Sequence, residues 1–203
     1  MIKISKSTIQ RFPLYLKAFR KMESDGITTF KSHDLADITG VLPTTVRRDF
    51  SLIGRLGKQG HGYNVKEIIK IFSEELGLES DEKIILIGVG NLGKAVLHYN
   101  EWENVVGKIE CGFDLYPENV KNVNVKVYNI KDLATKMPKG ARIAILTISH
   151  DVQDTVDKLA KCGITGIVNF SKDHIEVPKG VSIRTIDVLS KVQELVFEIN
   201  KRK

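Results

Sequence analysis

Long apolar runs are missing from the 203-residue sequence. No stretch of roughly eighteen apolar residues occurs, so no transmembrane helix is predicted. The first residues, Met1-Ile2-Lys3-Ile4-Ser5-Lys6, lead into a segment carrying Arg11, Lys17, Arg20 and Lys21. A secretory signal would need an apolar block and a small-residue cleavage site there, so the expected location is cytoplasmic. Cysteine is scarce as well. Cys111 and Cys162 each sit in an apolar stretch beside a glycine, without the spacing of a disulfide framework or a zinc site. They are read as buried, reduced thiols. The five histidines form no H-x-x-x-H pairing with acids, so no metal site is expected. Aromatics make up 7% of the chain, and there is neither an internal repeat nor a low-complexity tract.

What the sequence does have is an uneven charge. The net is +6, yet residues 1–66 alone hold twelve Lys/Arg against five Asp/Glu, a net of +7. The remaining two thirds therefore carry −1. A basic N-terminal third suits a polyanion, because neutralised phosphates release counterions. A lysine-rich solvated surface gives the same count.

The N-terminal pattern narrows that choice. Residues 7–24 have a broad apolar face ending at Gly26, with Pro13 expected either to delay the helix start to Phe12 or to bend it. A short helix over 32–38 has Ser32 as its N-cap and Gly40 as its stop. Pro43 opens a third helix, 44–52, ended by Gly54. Helix, glycine turn, helix is the helix-turn-helix pattern. Residues 55–63 hold three glycines and read as a basic β-hairpin, or wing, followed by a helix capped by Asn64. In such a motif the second helix enters the major groove. Thr44, Thr45, Arg47 and Arg48 are then the candidate DNA contacts, with Lys58 at the wing tip. Spacing does not say which arginine reads a base and which grips a phosphate.

From residue 83 short apolar runs alternate with helical patterns. The runs cover 83–87, 109–113, 123–127, 143–148, 166–170 and 181–186, with helices at 92–102, 130–136 and 151–162. That alternation predicts a Rossmann-type parallel sheet. Gly88-Val89-Gly90-Asn91-Leu92-Gly93 is a G-x-G-x-x-G loop leaving the first strand and opening a helix. Gly88 serves the tight turn, Gly90 the approach of a pyrophosphate and Gly93 the packing of helix on strand. Asp114 ends the next strand, 21 positions after Gly93, where a carboxylate accepts both hydroxyls of an adenosine ribose. It would repel a 2′-phosphate, and Leu115-Tyr116-Pro117 offers no arginine for one. NAD(H) is therefore favoured over NADP(H), while S-adenosylmethionine remains open by pattern alone. Leu146, Ile148 and Phe170 are candidates for an apolar lining around the nicotinamide.

The order of these pieces resembles the Rex family of redox-sensing repressors. Ser7-Thr8-Ile9-Gln10-Arg11-Phe12-Pro13-Leu14-Tyr15 is similar to its opening helix. Val46-Arg47-Arg48-Asp49-Phe50-Ser51 resembles its recognition helix, and Gly57-Lys58-Gln59-Gly60-His61-Gly62-Tyr63 its wing. The Gly88–Gly93 loop, Thr147, Asn169-Phe170 and Asp187 fall at family positions. The resemblance implies three segments: a winged-helix domain over 1–80, an NAD(H)-binding domain over 81–186 and a C-terminal helix over 187–203 exchanged between the subunits of a homodimer. It implies an operator-binding repressor, not an enzyme, that is released by NADH. It places Thr147, Ile148 and Ser149 near the nicotinamide or its ribose, and Lys17, Tyr99 and Asp187 in the switch. Three departures stand out: Gln59 and Lys17 where many or some relatives have arginine, and Val188 where some have phenylalanine. An NAD-dependent dehydrogenase using His98 or His150, and a DNA-binding sensor of another adenine nucleotide, are the rival readings.

Overall fold

The structure is a computed structural model that describes residues 4–54, 56, 62–77, 81–101 and 106–202. The chain divides into two compact units, residues 1–79 and 80–203. No helix among the described residues is long and apolar enough to cross a membrane.

The first unit opens with α1, Lys6–Ser24, capped by the Ser5 hydroxyl, which accepts from the Thr8 N–H. Pro13 neither delays nor breaks this helix. The proline is exposed, and so is Ile9, whose carbonyl loses its intrahelical donor and is left to water. A two-residue strand β1, Thr29–Phe30, precedes α2, Ser32–Thr39, and α3, Pro43–Ile53. The cap of α2 differs from expectation. Lys31 holds the cap position, and its N–H donates to the Asp34 carboxylate at 2.7 Å. The Ser32 hydroxyl instead accepts from Arg47 Nη1 at 2.8 Å. One strand near the expected wing is present: β2, Tyr63–Asn64, pairs antiparallel with β1. The wing tip itself, with Lys58 and Gln59, lies outside the described residues. Asn64 caps α4, Val65–Glu75, as expected, accepting from the Glu67 N–H. The core of this unit is aromatic: Phe12, Tyr15, Phe19, Phe30, Phe50 and Phe72 are all buried and meet mostly edge to face.

The second unit is a six-stranded parallel sheet. Its strands are β3 (Lys83–Ile87), β4 (Lys108–Asp114), β5 (Lys126–Asn129), β6 (Ile143–Leu146), β7 (Gly166–Asn169) and β8 (Ser182–Thr185). Their order is β5-β4-β3-β6-β7-β8, every neighbouring pair parallel. The order reverses between β3 and β6, the switch point of a Rossmann sheet. Helices α5 (Asn91–Leu97), α6 (Leu133–Lys136) and α7 (Val152–Lys161) follow β3, β5 and β6. The third strand starts three residues later than its apolar run, so Val123 and Val125 pack beneath the sheet instead of within a strand. Alternate residues of the central strands supply two cores. Ile85, Ile87, Phe113 and Leu146 face one side, and Ile84, Leu86, Ile109 and Ile145 the other. The last helix, α8 (Val188–Lys201), buries none of its residues.

Candidate functional site

The strand ends at the switch point build a cavity of about 290 Å3. Gly88 leaves β3 with φ +87, a left-handed conformation that favours glycine. A Cβ there would also meet Ile148 Cγ2 at 2.7 Å. At Gly93 a Cβ would sit 2.2 Å from the Gly88 carbonyl oxygen, so helix α5 packs on the loop only through glycine. Gly90 differs. Its φ is −73, and a Cβ would find nothing within 4 Å. Space remains in front of the loop backbone at the one position where a phosphate was expected to approach.

Two side chains hold this loop. The Thr147 hydroxyl, just past β6, donates to the Gly88 carbonyl at 2.7 Å. The Asp114 carboxylate accepts from the Val89 N–H at 2.7 Å through one oxygen and from the Tyr116 N–H at 2.9 Å through the other. A carboxylate has about four acceptor directions, so Asp114 keeps two for a ribose diol while bracing the loop. The cavity's volume is at the lower end of the roughly 300–1,000 Å3 of ligand clefts. The glycine cradle, the carboxylate and the open approach at Gly90 fit an adenine dinucleotide.

Of the expected nucleotide contacts, Gly88, Gly90, Asp114, Thr147, Ile148 and Ser149 line the cavity. Val89, Asn91, Leu92, Gly93 and Phe170 do not. The Val89 side chain and Phe170 join the core cluster of Ile84 and Leu86, on the other face of the sheet from Ile87 and Phe113. Leu146 is fully buried, which leaves Ile148 as the one member of the expected apolar trio at the cavity. Sequence reasoning missed Leu115, Tyr116 and Ile130, which give the cavity an apolar wall beside Asp114. The signal was present in Leu115-Tyr116, exposed apolar residues directly after the expected ribose carboxylate. It also missed the polar end, formed by Asp151, Asp154, Thr155 and Lys158; His150 lies there too.

The expected DNA contacts lie on α3 and behave unequally. Thr44, Arg47 and Arg48 are exposed and Thr45 half-buried. Arg47 is tied to Ser32 of α2, whereas the Arg48 guanidinium has no hydrogen-bond or ion-pair partner among the described residues, only the Arg48 carbonyl accepting from the Ser51 hydroxyl. The next residue, Asp49, is 1% exposed. It accepts from Arg11 Nε at 2.6 Å, Arg11 Nη2 and Tyr15 Oη at 2.7 Å each, and Thr8 Oγ1 at 3.2 Å. Burial pushes its carboxyl up, but the bonds from Arg11, Tyr15 and Thr8 outweigh that and hold it below the usual carboxylate range. Burial, with Asp49 beside it, pushes the Tyr15 hydroxyl well up. Sequence reasoning counted Asp49 and Arg11 as charges and as members of family-like segments, with no role of their own. The missed signal is spacing: Val46, Asp49, Phe50 and Ile53 form one helical stripe, which puts a carboxylate on the buried face.

The expected switch residues are divided between the two units. Lys17 is exposed on α1 in the first unit. In the second, the Tyr99 hydroxyl brackets the Val106 backbone, donating to its carbonyl and accepting from its N–H. Asp187 caps α8 by accepting from the Ser190 N–H, and bonds from Ser190 hold its carboxyl below the usual range. Both cysteines are free, and burial pushes the Cys111 thiol up to about 11. No cluster of metal-ligating side chains occurs among the described residues.

Comparison with known proteins decides what this arrangement belongs to. The redox-sensing transcriptional repressor Rex of Listeria welshimeri is 38% identical over 199 residues, which span 96% of this chain and 93% of the relative. The chain belongs to the Rex family. Rex of Halalkalibacterium halodurans is 37% identical over 96% of the chain and 94% of its own length. The family described as "Putative DNA-binding protein N-terminus" matches residues 3–51, and the "CoA binding domain" family matches residues 79–172. A crystal structure of RSP in complex with β-NAD+ and operator DNA matches with a TM-score of 0.88 and 28% identity, covering 100% of this chain and 95% of that one. RSP in complex with β-NADH matches with a TM-score of 0.85 and 26% identity over 100% and 97%. This Rex-family chain thus has the N-terminal DNA-binding fold and C-terminal parallel sheet of its relatives.

Proposed function

We propose that this Rex-family chain represses transcription by binding inverted-repeat operator DNA when NADH is low and releasing it when NADH binds. The observation that carries this reading is a family relationship spanning both units at 38% identity, with a basic helix-turn-helix in one and a glycine cradle in the other. Thr44, Thr45, Arg47 and Arg48 face the DNA, joined by Lys58. Gly88–Gly93, Asp114, Thr147, Ile148, Ser149 and Phe170 are assigned to NAD(H), with Leu115, Tyr116 and Ile130 taking the adenine. NAD(H) is favoured over NADP(H) because, among the described residues, the one Lys or Arg lining the cavity, Lys158, is paired with Asp154 at 2.6 Å. The chain acts in the cytoplasm as a homodimer through exchange of α8, and Lys17, Tyr99 and Asp187 carry the switch. Repressor relatives across the full chain leave the dehydrogenase reading without support.

The physical content of the switch is differential affinity: NADH must bind the DNA-free arrangement better than the DNA-bound one. A fluorescence anisotropy titration on an inverted-repeat operator tests it, with NADH added at fixed NAD+. Release by NADH, reversed by excess NAD+, is the expected result. Tight DNA binding indifferent to NADH reassigns the ligand of the cavity, and no DNA binding under any nucleotide overturns the reading.

A further inference from the structure

Position 49 is the least expected place for a charge in the N-terminal unit. It lies on the reading helix α3, beside two arginines that face outward, and its own side chain points into an aromatic core. Its four hydrogen bonds all come from α1, from Thr8, Arg11 and Tyr15. Arg11 engages it as a fork through Nε and Nη2, which fixes direction as well as distance. Arg11 Nη2 also donates to Thr8 Oγ1, and Thr8 meets the capping hydroxyl of Ser5, so the network reaches the start of α1. On the other side of Arg48, Arg47 is tied to Ser32 at the start of α2.

Packing alone does not call for this arrangement. An apolar residue at 49 would fill the same buried space beside Tyr15, and replacing a buried ion pair by apolar groups is often neutral or stabilising. What an apolar contact lacks is orientation. A helix seated on a greasy surface can turn or slide, whereas a forked carboxylate with two further donors admits one pose. Base reading depends on such a pose, because a bidentate arginine contact discriminates only when the guanidinium meets the base edge in plane.

We propose that Asp49 is a positioning residue for sequence recognition: clamped by Thr8, Arg11 and Tyr15, it sets the pose in which α3 presents Arg48 and Thr44 to the bases. The inference rests on the DNA-binding reading above. It separates the roles on α3. Arg48 reads, Arg47 is braced by α2, and Asp49 aims the helix without touching DNA.

Charge and position make opposite forecasts. Removing a negative charge beside the reading helix strengthens attraction to any phosphate backbone, whatever the sequence. Losing the pose weakens only the sequence-dependent part. The test uses the full chain, a duplex selected by the wild type from an inverted-repeat library, and a scrambled duplex of equal length. With Asp49→Asn, affinity for the selected duplex is expected to fall at least about tenfold while affinity for the scrambled one holds or rises. Tyr15→Phe keeps the ring in its cluster and deletes one donor, so it guards against a variant that fails to fold. A drop of about threefold or more in the ratio of the two affinities is expected there. Partial unfolding lowers both affinities together and leaves the ratio unchanged. An unchanged ratio in Tyr15→Phe, or equal gains on both duplexes in Asp49→Asn, overturns the proposal. A wild type that selects no sequence overturns the DNA-binding reading itself, and this proposal with it.

Discussion

Single residues carry two separable kinds of evidence here, and the glycine loop shows both. Gly93 is required by the fold, because a methyl group would lie 2.2 Å from a backbone oxygen. Gly90 is not, since its backbone is ordinary and a methyl group would meet nothing. Gly93→Ala is therefore expected to lower both the melting temperature and NADH affinity. Gly90→Ala is expected to leave the melting temperature within about a degree while weakening NADH at least about tenfold, because the methyl fills the ligand's approach. Thermal melts and fluorescence titrations of both variants check this, and equal effects at the two positions would show that Gly90 is structural. Asp49 gives the residue-scale prediction for stability. Removing its acceptors in Asp49→Ala strands Arg11, Tyr15 and Thr8, at a cost of about 2–4 kcal/mol given that Arg11 is partly solvated. Its folded carboxyl titrates below the ordinary range, so its contribution is complete above the unfolded value of about 4 and is lost as pH falls through the folded value. Chemical denaturation between pH 7 and pH 3 should show wild type converging on Asp49→Asn at the acid end. The G-x-G-x-x-G loop and Asp114 were legible as residue types at fixed spacing. The role of Asp49 was harder to see, because its partners lie 34 to 41 positions away and only the fold joins them.

At the scale of elements, periodicity found what was long and regular and failed where tertiary contacts decided. The parallel strands and α3 were legible because each strand is a short apolar run and Pro43 and Gly54 bracket the helix. Strand β1 was not, because Thr29–Phe30 is too short for a pattern and exists by pairing with β2. Pro13 misled because its local penalty is met by solvent and by the clasp holding the first two turns of α1 to Asp49. Helix α8 was visible in the sequence as an amphipathic helix, and what the structure adds is its isolation. Val188, Leu189, Val192, Leu195, Val196, Phe197 and Ile199 are each half or more exposed. Contiguous apolar surface of this kind marks an interaction site, and a second copy of the chain is the occupant proposed here. Leu195→Asp together with Val192→Asp is expected to convert the dimer to monomer in sedimentation velocity. The isolated N-terminal fold would survive, so helix content should hold while operator affinity drops with the loss of the second half-site. A dimer that persists in this double variant would assign the interface elsewhere.

At the scale of the molecule, a basic reader and a nearly neutral nucleotide sheet are joined in one chain, and the joint has a thermodynamic consequence that no single site shows. If NADH weakens operator binding by some factor, operator must weaken NADH binding by the same factor, since both are one coupling free energy. Couplings of this kind are typically about 1–3 kcal/mol, or roughly 5–150-fold. NADH affinity measured by calorimetry should therefore fall on adding saturating operator, by the factor that NADH imposes on the operator in anisotropy. NAD+ should show a smaller factor in both experiments, because only differential affinity for the two arrangements moves the equilibrium. Salt separates this from simple charge competition. The net of +7 in residues 1–66 makes operator affinity fall steeply with ionic strength. The coupling factor is a ratio at fixed salt, and it should stay nearly constant across that range. A factor that shrinks in parallel with operator affinity would mean that NADH acts as a competing anion on the basic surface and not through the cavity at Gly90 and Asp114.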